Sequence, residues 1–321
     1  MIVFVTTGSH KYAPEAIADL DHGPEVMIIS YNQLFRRKRL PAATYIFSDF
    51  DRLTFWQTEL AALVYRALEA AGVPVLNDPA RVLHRLPLLK TLTRNGVNRF
   101  QVWDCASDPD PERFPVFLRT RGAHRGTLTD LLNTAEEAEA AKEKALQDGY
   151  GLQDLMFVEY CAEPLENGVF RKWAAYKVGD QIQTGLAVHE SHWQAKYGED
   201  GLATDQQYED EFASIDANTF AVPLRAAFDL ANVGYGRVDF AIVDGVPQVY
   251  EINTNPHFTI FDEHPSQTRL ASQALFCERV ASAFEAIDHP YDRSVQVELN
   301  HPSLMKQRKK DWPLTRERWI I

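Results

Sequence analysis

Along the first eighty residues, short apolar runs alternate with a longer amphipathic stretch. Ile2-Val-Phe-Val5, Glu25-Val-Met-Ile-Ile-Ser30, Thr44-Tyr-Ile-Phe47 and Val73-Pro-Val-Leu76 are rich in β-branched residues and predict strands. Leu60, Leu63, Val64 and Leu68 recur at helical spacing, and Gly72 closes the pattern, so a helix is predicted over Phe55 to Ala71. Strands that alternate with a helix imply a small parallel α/β domain up to about residue 80.

Beyond residue 80 the pattern becomes mixed. Asp78-Pro-Ala suits a helix start, with Asp as cap and Pro in the first turn, and the helix is expected to run to Arg94 before Asn95-Gly96. Pro115 to Thr120 reads as a strand, and Arg121-Gly-Ala-His-Arg-Gly126 as a basic, glycine-bounded loop. Thr134-Ala-Glu-Glu137 is a capping box that opens an Ala/Glu/Lys-rich helix to about Gln147. Asp154 to Cys161 is a further strand, and Phe170 to Val188 a hairpin that turns at Gly179-Asp180. Val222 to Asn232 is helical, residues 235–256 form a second hairpin around Asp244-Gly245, and Thr268 to Ile287 is an amphipathic helix. From Tyr291 onward the pattern is lost. Lys306-Gln-Arg-Lys-Lys310 is basic, with Trp312 and Trp319 beyond it, and reads as a solvated end or one that packs on a neighbour.

Composition narrows the class. A length of 321 residues predicts two or three domains, and 45% hydrophobic with 24% charged residues fits a globular protein with a core. A formal net charge of −12 argues against a general nucleic-acid binder. Cys105, Cys161 and Cys277 are odd in number and far apart, which excludes a disulfide framework or a CxxC metal site and points to a reducing cytoplasm. The opening strand is too short for a signal peptide, and no apolar run nears the ~18 residues of a membrane span, so a cytoplasmic protein without membrane contact is expected.

Candidate chemistry concentrates in the second hairpin. Its strands can bring together the oxygen-bearing side chains of Asp239, Glu251 and Asn253, with Arg237 beside them. A hard cation plus an arginine holds and polarises phosphates; the bland reading is a polar hairpin face in which Arg237 pairs with a carboxylate. Asp244 is assigned to the turn. Arg171 lies opposite the apolar face of its strand, as a recognition group for a carboxylate or phosphate or as an exposed basic residue. His189 and His192 lie near Trp193 and Lys196 without a third metal ligand at suitable spacing, so substrate contact or a solvated loop is expected there. Thr7-Gly-Ser9-His10 follows the first strand, where α/β sheets bind ligands, which makes Ser9 a candidate contact. There is no GxGxxG fingerprint and no Walker A motif, and no cysteine has a local histidine partner.

Arg237-Val-Asp239 followed by Glu251-Ile-Asn253-Thr-Asn-Pro256 resembles the signature of the ATP-grasp superfamily of carboxylate–amine ligases, with a glutathione-synthetase-like fold, over roughly residues 1–290. The resemblance implies an α/β pre-ATP-grasp domain (1–80), two α+β subdomains (81–153 and 154–290) that clamp ATP, and a basic tail (291–321). It places Mg²⁺ or Mn²⁺ at Asp239, Glu251 and Asn253, and Arg237 at the transferring phosphoryl group. Glu159, with the backbone of Tyr160 and Cys161, falls at the adenine linker, and Gly122 to Gly126 at the loop over the phosphates. Asn255, inside the signature, is a candidate substrate contact, as Arg171 is from its place on the strand. Two phosphate-contacting lysines of the family are replaced by Arg85 and Arg119, with Lys90 as the alternative first position; arginine keeps the charge but not the reach. The implied reaction joins a small-molecule or peptide carboxylate to an amine through an acylphosphate, and the family admits homodimers. Two alternatives stay open: an ATP-dependent phosphotransferase, and a nucleotide-binding module that has lost catalysis, which the two arginines motivate.

Overall fold

The computed structural model describes residues 1–20, 23–122, 126–258, 260–289 and 292–309. The first unit contains β1 (Ile2–Thr6), α1 (Tyr12–Ala18), β2 (Val26–Ser30), α2 (Tyr31–Arg36), β3 (Arg39–Ala42), β4 (Thr44–Phe47), α3 (Phe55–Ala70) and β5 (Val75–Leu76). A parallel sheet runs in the order β2-β1-β4-β5. Both faces of β1 are covered, which is why its run is uniformly apolar. Val3 and Val5 pack with Leu60, Val64 and Leu68 of α3, while Ile2 and Phe4 pack with Val280 and Phe284 from far along the chain. Thr54 and Gln57 cap α3 reciprocally.

The second unit opens with α4 (Arg85–Arg94), which starts at Arg85 and not at Asp78 as expected. Asp78 instead closes a turn of its own: its carboxylate accepts the Ala80 N–H at 3.0 Å and its carbonyl the Arg81 N–H at 2.9 Å. Pro87 sets the limit. It lacks an N–H and collides with the carbonyl four residues back, so a helix through it must begin within the preceding turn. β6 (Val102–Asp104), β7 (Val116–Thr120), α5 (Ala135–Gln147) and β8 (Leu155–Glu159) follow, with the strands in antiparallel order β6-β8-β7. Alternation sorts the sheet's faces: Val116, Leu118, Leu155 and Phe157 meet α5, while Phe117, Met156 and Val158 face the cluster that holds Leu89 of α4. Thr134 caps α5, but the Glu137 carboxylate takes the Asn133 N–H at 2.6 Å, so the box is not reciprocal.

The third unit comprises β9 (Phe170–Val178), β10 (Gln181–Glu190), α6 (Asp205–Asp216), α7 (Ala221–Ala231), β11 (Tyr235–Val243), β12 (Val246–Asn253) and α8 (Gln267–Ile287), with sheet order β10-β9-β11-β12. Asp244 and Gly245 sit at φ 48° and 73°, the left-handed geometry of a two-residue hairpin turn. The segment from 292 is not a free end. β13 (Asp292–Glu298) pairs with β3, and α9 (Pro302–Lys309) lies on α2, so that Val297, Leu299 and Leu304 join the first unit's core. Lys310, Trp312 and Trp319 fall outside the described residues.

A parallel α/β unit followed by two sheet-and-helix units is the α/β layout that the ATP-grasp resemblance implies. Among the described residues, no helix is long and apolar enough to cross a membrane.

Candidate functional site

A cavity of about 220 Å³ lies between the β6-β8-β7 sheet with α4 and the β10-β9-β11-β12 sheet. One end is apolar and aromatic, lined by Leu89, Phe117, Val158, Trp193 and Tyr250. The other is ionic, lined by Arg85, Arg119, Lys172, Asp239 and Glu251. Gly126, Glu159, Tyr160, Cys161 and Arg171 line it as well, so most of the residues singled out in the sequence meet at one place.

Hairpin register assembles the ionic end. Asp239 pairs with Glu251 and Arg237 with Asn253 across the β11-β12 ladder, and the register slips after Asp239 in a bulge. Arg237 grips Asp239 in a fork, Nε to Oδ1 at 2.7 Å and Nη2 to Oδ2 at 3.2 Å, and Lys172 Nζ stands 3.5 Å from Oδ2. Burial opposes ionisation of Asp239, but Arg237 and then Lys172 outweigh it and hold the carboxyl below its usual range. For Arg237, burial works against the charge, and Asp239 and Tyr176 more than offset it, so the guanidinium is raised.

Arg85 is buried and ion-paired with Glu251. Lys90, the alternative position, pairs with Asp108 and does not line the cavity. Burial, partly countered by Asp51 and Asp239, pushes Arg85 down, and its Nε has no hydrogen-bond partner. Arg119 is pushed down to about 9 by burial and by neighbouring Arg85. Among the described residues no carboxylate pairs with Arg119; its Nε reaches only the Thr120 carbonyl, at 3.4 Å. Arg171 also keeps a buried, unpartnered Nη1. Around the whole cavity five cations, Arg85, Arg119, Arg171, Lys172 and Lys196, stand against four carboxylates, Glu159, Glu163, Asp239 and Glu251, in a chain whose net charge is −12. Buried cationic donors without partners fit a ligand that carries several negative charges.

The aromatic end is built from both flanking units. The Glu159 carboxylate accepts the Gln101 N–H at 2.8 Å and Arg113 at 2.8 Å, which fixes the end of β8. The Tyr160 N–H bonds the Pro115 carbonyl at 2.9 Å, and the Tyr250 hydroxyl donates to the Cys161 carbonyl. Burial pushes the Cys161 thiol up to about 11, so it is no thiolate at neutral pH. Trp193 crosses the cleft to lie 4.8 Å from Phe117 and 5.7 Å from Tyr160, ring centre to ring centre. Its loop is pinned by one Glu190 oxygen, which accepts the N–H groups of Lys196, Tyr197 and Gly198 at 2.5, 2.6 and 2.8 Å. Lys172, Trp193 and Tyr250 as lining residues were not picked out from the sequence. Trp193 is the one with a usable signal, as an aromatic beside Lys196 in a polar loop.

The remaining candidates lie around this cavity and not on it, and Arg237 itself reaches the lining only through Asp239. The Asn253 side-chain oxygen accepts the Asn255 N–H at 2.8 Å, and Asn253 lines a second cavity of about 20 Å³ that shares Arg85 and Glu251 with the first. Asn255 ties the hairpin to the first unit through the His10 carbonyl and the Ser48 hydroxyl, each at 3.2 Å. Ser9 is exposed on the turn Gly8–His10. The Gly122 carbonyl accepts the Thr120 hydroxyl at 2.9 Å, and residues 123–125 of the glycine-bounded loop lie outside the described residues.

His189 is 4% exposed, and its Nε2 has no partner. Burial, with Arg171 and Arg269, pushes it down to about 4 from 6.5. The unfolded chain therefore binds the proton more tightly, and stability is full above pH 6.5 and falls as pH drops towards 4. A His189→Gln variant should lack this limb, which amounts to roughly 3 kcal/mol in the parent. Urea denaturation at several pH values checks this; parallel curves for parent and variant would contradict it.

No family model matches the chain, and no curated protein matches it. Among solved structures it is similar to D-alanine–D-alanine ligase from Bacillus anthracis, at 16% identity over 88% of this chain and 99% of that one, with a TM-score of 0.46. The D-alanine–D-alanine ligase from Coxiella burnetii matches at 14% identity over 89% and 98%, with a TM-score of 0.48. A RimK domain ATP-grasp protein from Sphaerobacter thermophilus DSM 20745 matches at 15% identity over 90% and 100%, with a TM-score of 0.49.

Proposed function

We propose that this chain is an ATP-dependent ligase that joins a carboxylate to an amine. The observation that carries the reading is the two-ended cavity: an aromatic slot leads into a group of arginines and lysines, with Arg85 buried and Arg119, Arg171 and Lys172 half-buried, that face a carboxylate pair. Those are the demands of a purine, a polyphosphate and a hard cation.

Phe117, Trp193 and Tyr250 would enclose the base. Arg85, Arg119 and Lys196 would hold phosphate oxygens, and Arg237 would balance the charge that grows on the transferring phosphoryl group. Asp239, Glu251 and Asn253 supply the oxygen set that suits Mg²⁺ or Mn²⁺, which would neutralise phosphate charge and act as a template when bound. Polyphosphate binding gives Arg85 a stronger anionic partner and frees Glu251 from its ion pair. The substrate carboxylate attacks the γ-phosphorus and displaces ADP, and the amine then attacks the acyl carbon and displaces phosphate. The protein contributes position and charge, and its covering loops keep water from the acylphosphate.

Two measurements test this. MgADP is expected to raise the melting temperature while NAD does not. A panel of carboxylates with amines is expected to yield ADP and free phosphate together; phosphate retained on the product would establish a phosphotransferase, and no nucleotide binding would reject the reading. Trp193→Ala removes one wall of the base slot. Base–aromatic stacking contributes roughly 1–3 kcal/mol, so MgADP affinity should fall roughly tenfold or more. Calorimetric titration checks the value, and unchanged affinity would place the base elsewhere.

A further inference from the structure

At the C-terminal end of β4, the turn Phe50–Arg52 carries two aspartates on either side of the buried Phe50. Each holds a histidine from a different element. Asp49 Oδ2 lies 3.0 Å from His10 Nδ1, in the turn after β1, and Asp51 Oδ1 lies 2.8 Å from His84 Nδ1, just before α4. Asp49 also accepts the Thr7 hydroxyl and stands 3.3 Å from Arg52. Ligands of open α/β sheets bind beyond such strand ends.

The His84–Asp51 pair lines the small cavity, whose other walls include Arg85, Glu251, Asn253 and Thr254. Because Arg85 and Glu251 line both cavities, the small one backs directly onto the ionic end of the large one. Asn255 brings His10 to the same seam. The charges differ from those of the large cavity: the carboxylates of Asp51 and Glu251 line the small one with a single arginine, Arg85, which suits a nitrogen that arrives as a cation. The Asp51 hydrogen bond raises the His84 pKa, against burial, and keeps the ring proton on Nδ1, so Nε2 is the basic atom. His84 is half exposed and within reach of an incoming molecule. Asp51, Arg85 and Glu251 are the charged groups that face it in the cavity.

We propose that the seam between the first unit and the end of the β11-β12 hairpin binds the amine substrate, with His84, oriented by Asp51, accepting its proton. This rests on the ligase reading. The ammonium passes one proton to His84 Nε2, its lone pair forms the C–N bond, and the C–O bond to phosphate breaks with its electrons leaving on phosphate, which takes the second nitrogen proton and departs as hydrogen phosphate. Asp51 is a positioning residue.

The test uses the full chain, the carboxylate that the panel yields, and two nucleophiles: glycine (or ammonium chloride), which must lose a proton, and hydroxylamine, which is already unprotonated at neutral pH. His84→Gln and Asp51→Asn are expected to lower kcat/KM for the first on the order of 10²-fold, while hydroxylamine-dependent ADP release and the MgADP melting shift change less than about threefold. Equal losses with both nucleophiles, or no loss with either, would overturn the assignment while leaving the ligase reading intact. If the parent releases ADP with no carboxylate–amine pair, the ligase reading and this assignment fall together.

Discussion

Arg237→Ala is expected to lower kcat by roughly 10²–10³ while MgADP affinity stays within about tenfold of the parent. Arg237 is held before any ligand arrives, by its fork onto Asp239 at 2.7 and 3.2 Å and by the neighbouring Tyr176, to which it also bonds. A cation fixed in this way loses little freedom when charge develops beside it, so its contribution falls on the transition state. Removing it also leaves Asp239 buried with Lys172, at 3.5 Å, as its remaining ion-pair partner among the described residues, so Arg237→Lys is the control that keeps a charge. Steady-state kinetics beside calorimetric MgADP titration separates the two effects. If affinity fell as far as kcat/KM with kcat unchanged, Arg237 would be a ground-state binder of nucleotide.

Glu211→Ala is expected to cost about 3–5 kcal/mol of folding stability, the largest effect anticipated outside the cleft. Glu211 is fully buried on α6, where Oε2 accepts the Ala187 N–H of β10 at 2.8 Å and pairs with Arg269 of α8. It joins three elements of the third unit. Truncation strands a buried guanidinium and a backbone donor, and each carries its own desolvation cost. Glu211→Gln keeps the backbone bond and should lose less. Urea denaturation measures both; a loss below about 1 kcal/mol for the alanine variant would mean that solvent reaches Arg269 and that the cluster is not closed.

The ionic end was readable in the sequence for a local reason. Asp244-Gly245 fixes the turn, the turn fixes the register, and the register sets Asp239 opposite Glu251 and Arg237 opposite Asn253. β1 and β4 were readable because each is buried along its whole length, whereas β3, exposed at Arg39 and half-buried at Pro41 and Ala42, shows no such run. Other features depend on contacts distant in sequence. The start of α4 is decided by Pro87, which outweighs the capping signal at Asp78. The last segment shows strand alternation only over Val295-Gln-Val-Glu-Leu299 and becomes structure by pairing with β3. Helix α6 buries few apolar side chains, and its stripe was too thin to read. Trp193 and Tyr250 become cavity walls only when two units close on each other, and the His84–Asp51 pair spans 33 positions with no local pattern to announce it.

A single cavity is proposed to take the base at one end and the phosphates at the other. Calorimetric titration of a non-hydrolysable ATP analogue with Mg²⁺, into the parent and into Arg119→Ala, Asp239→Asn and Trp193→Ala variants, tests that most directly. The prediction is saturable one-to-one binding by the parent, weakened at least tenfold in each variant, although the three residues come from separate elements. Absence of binding to the parent, or binding that none of the three substitutions alters, would contradict it.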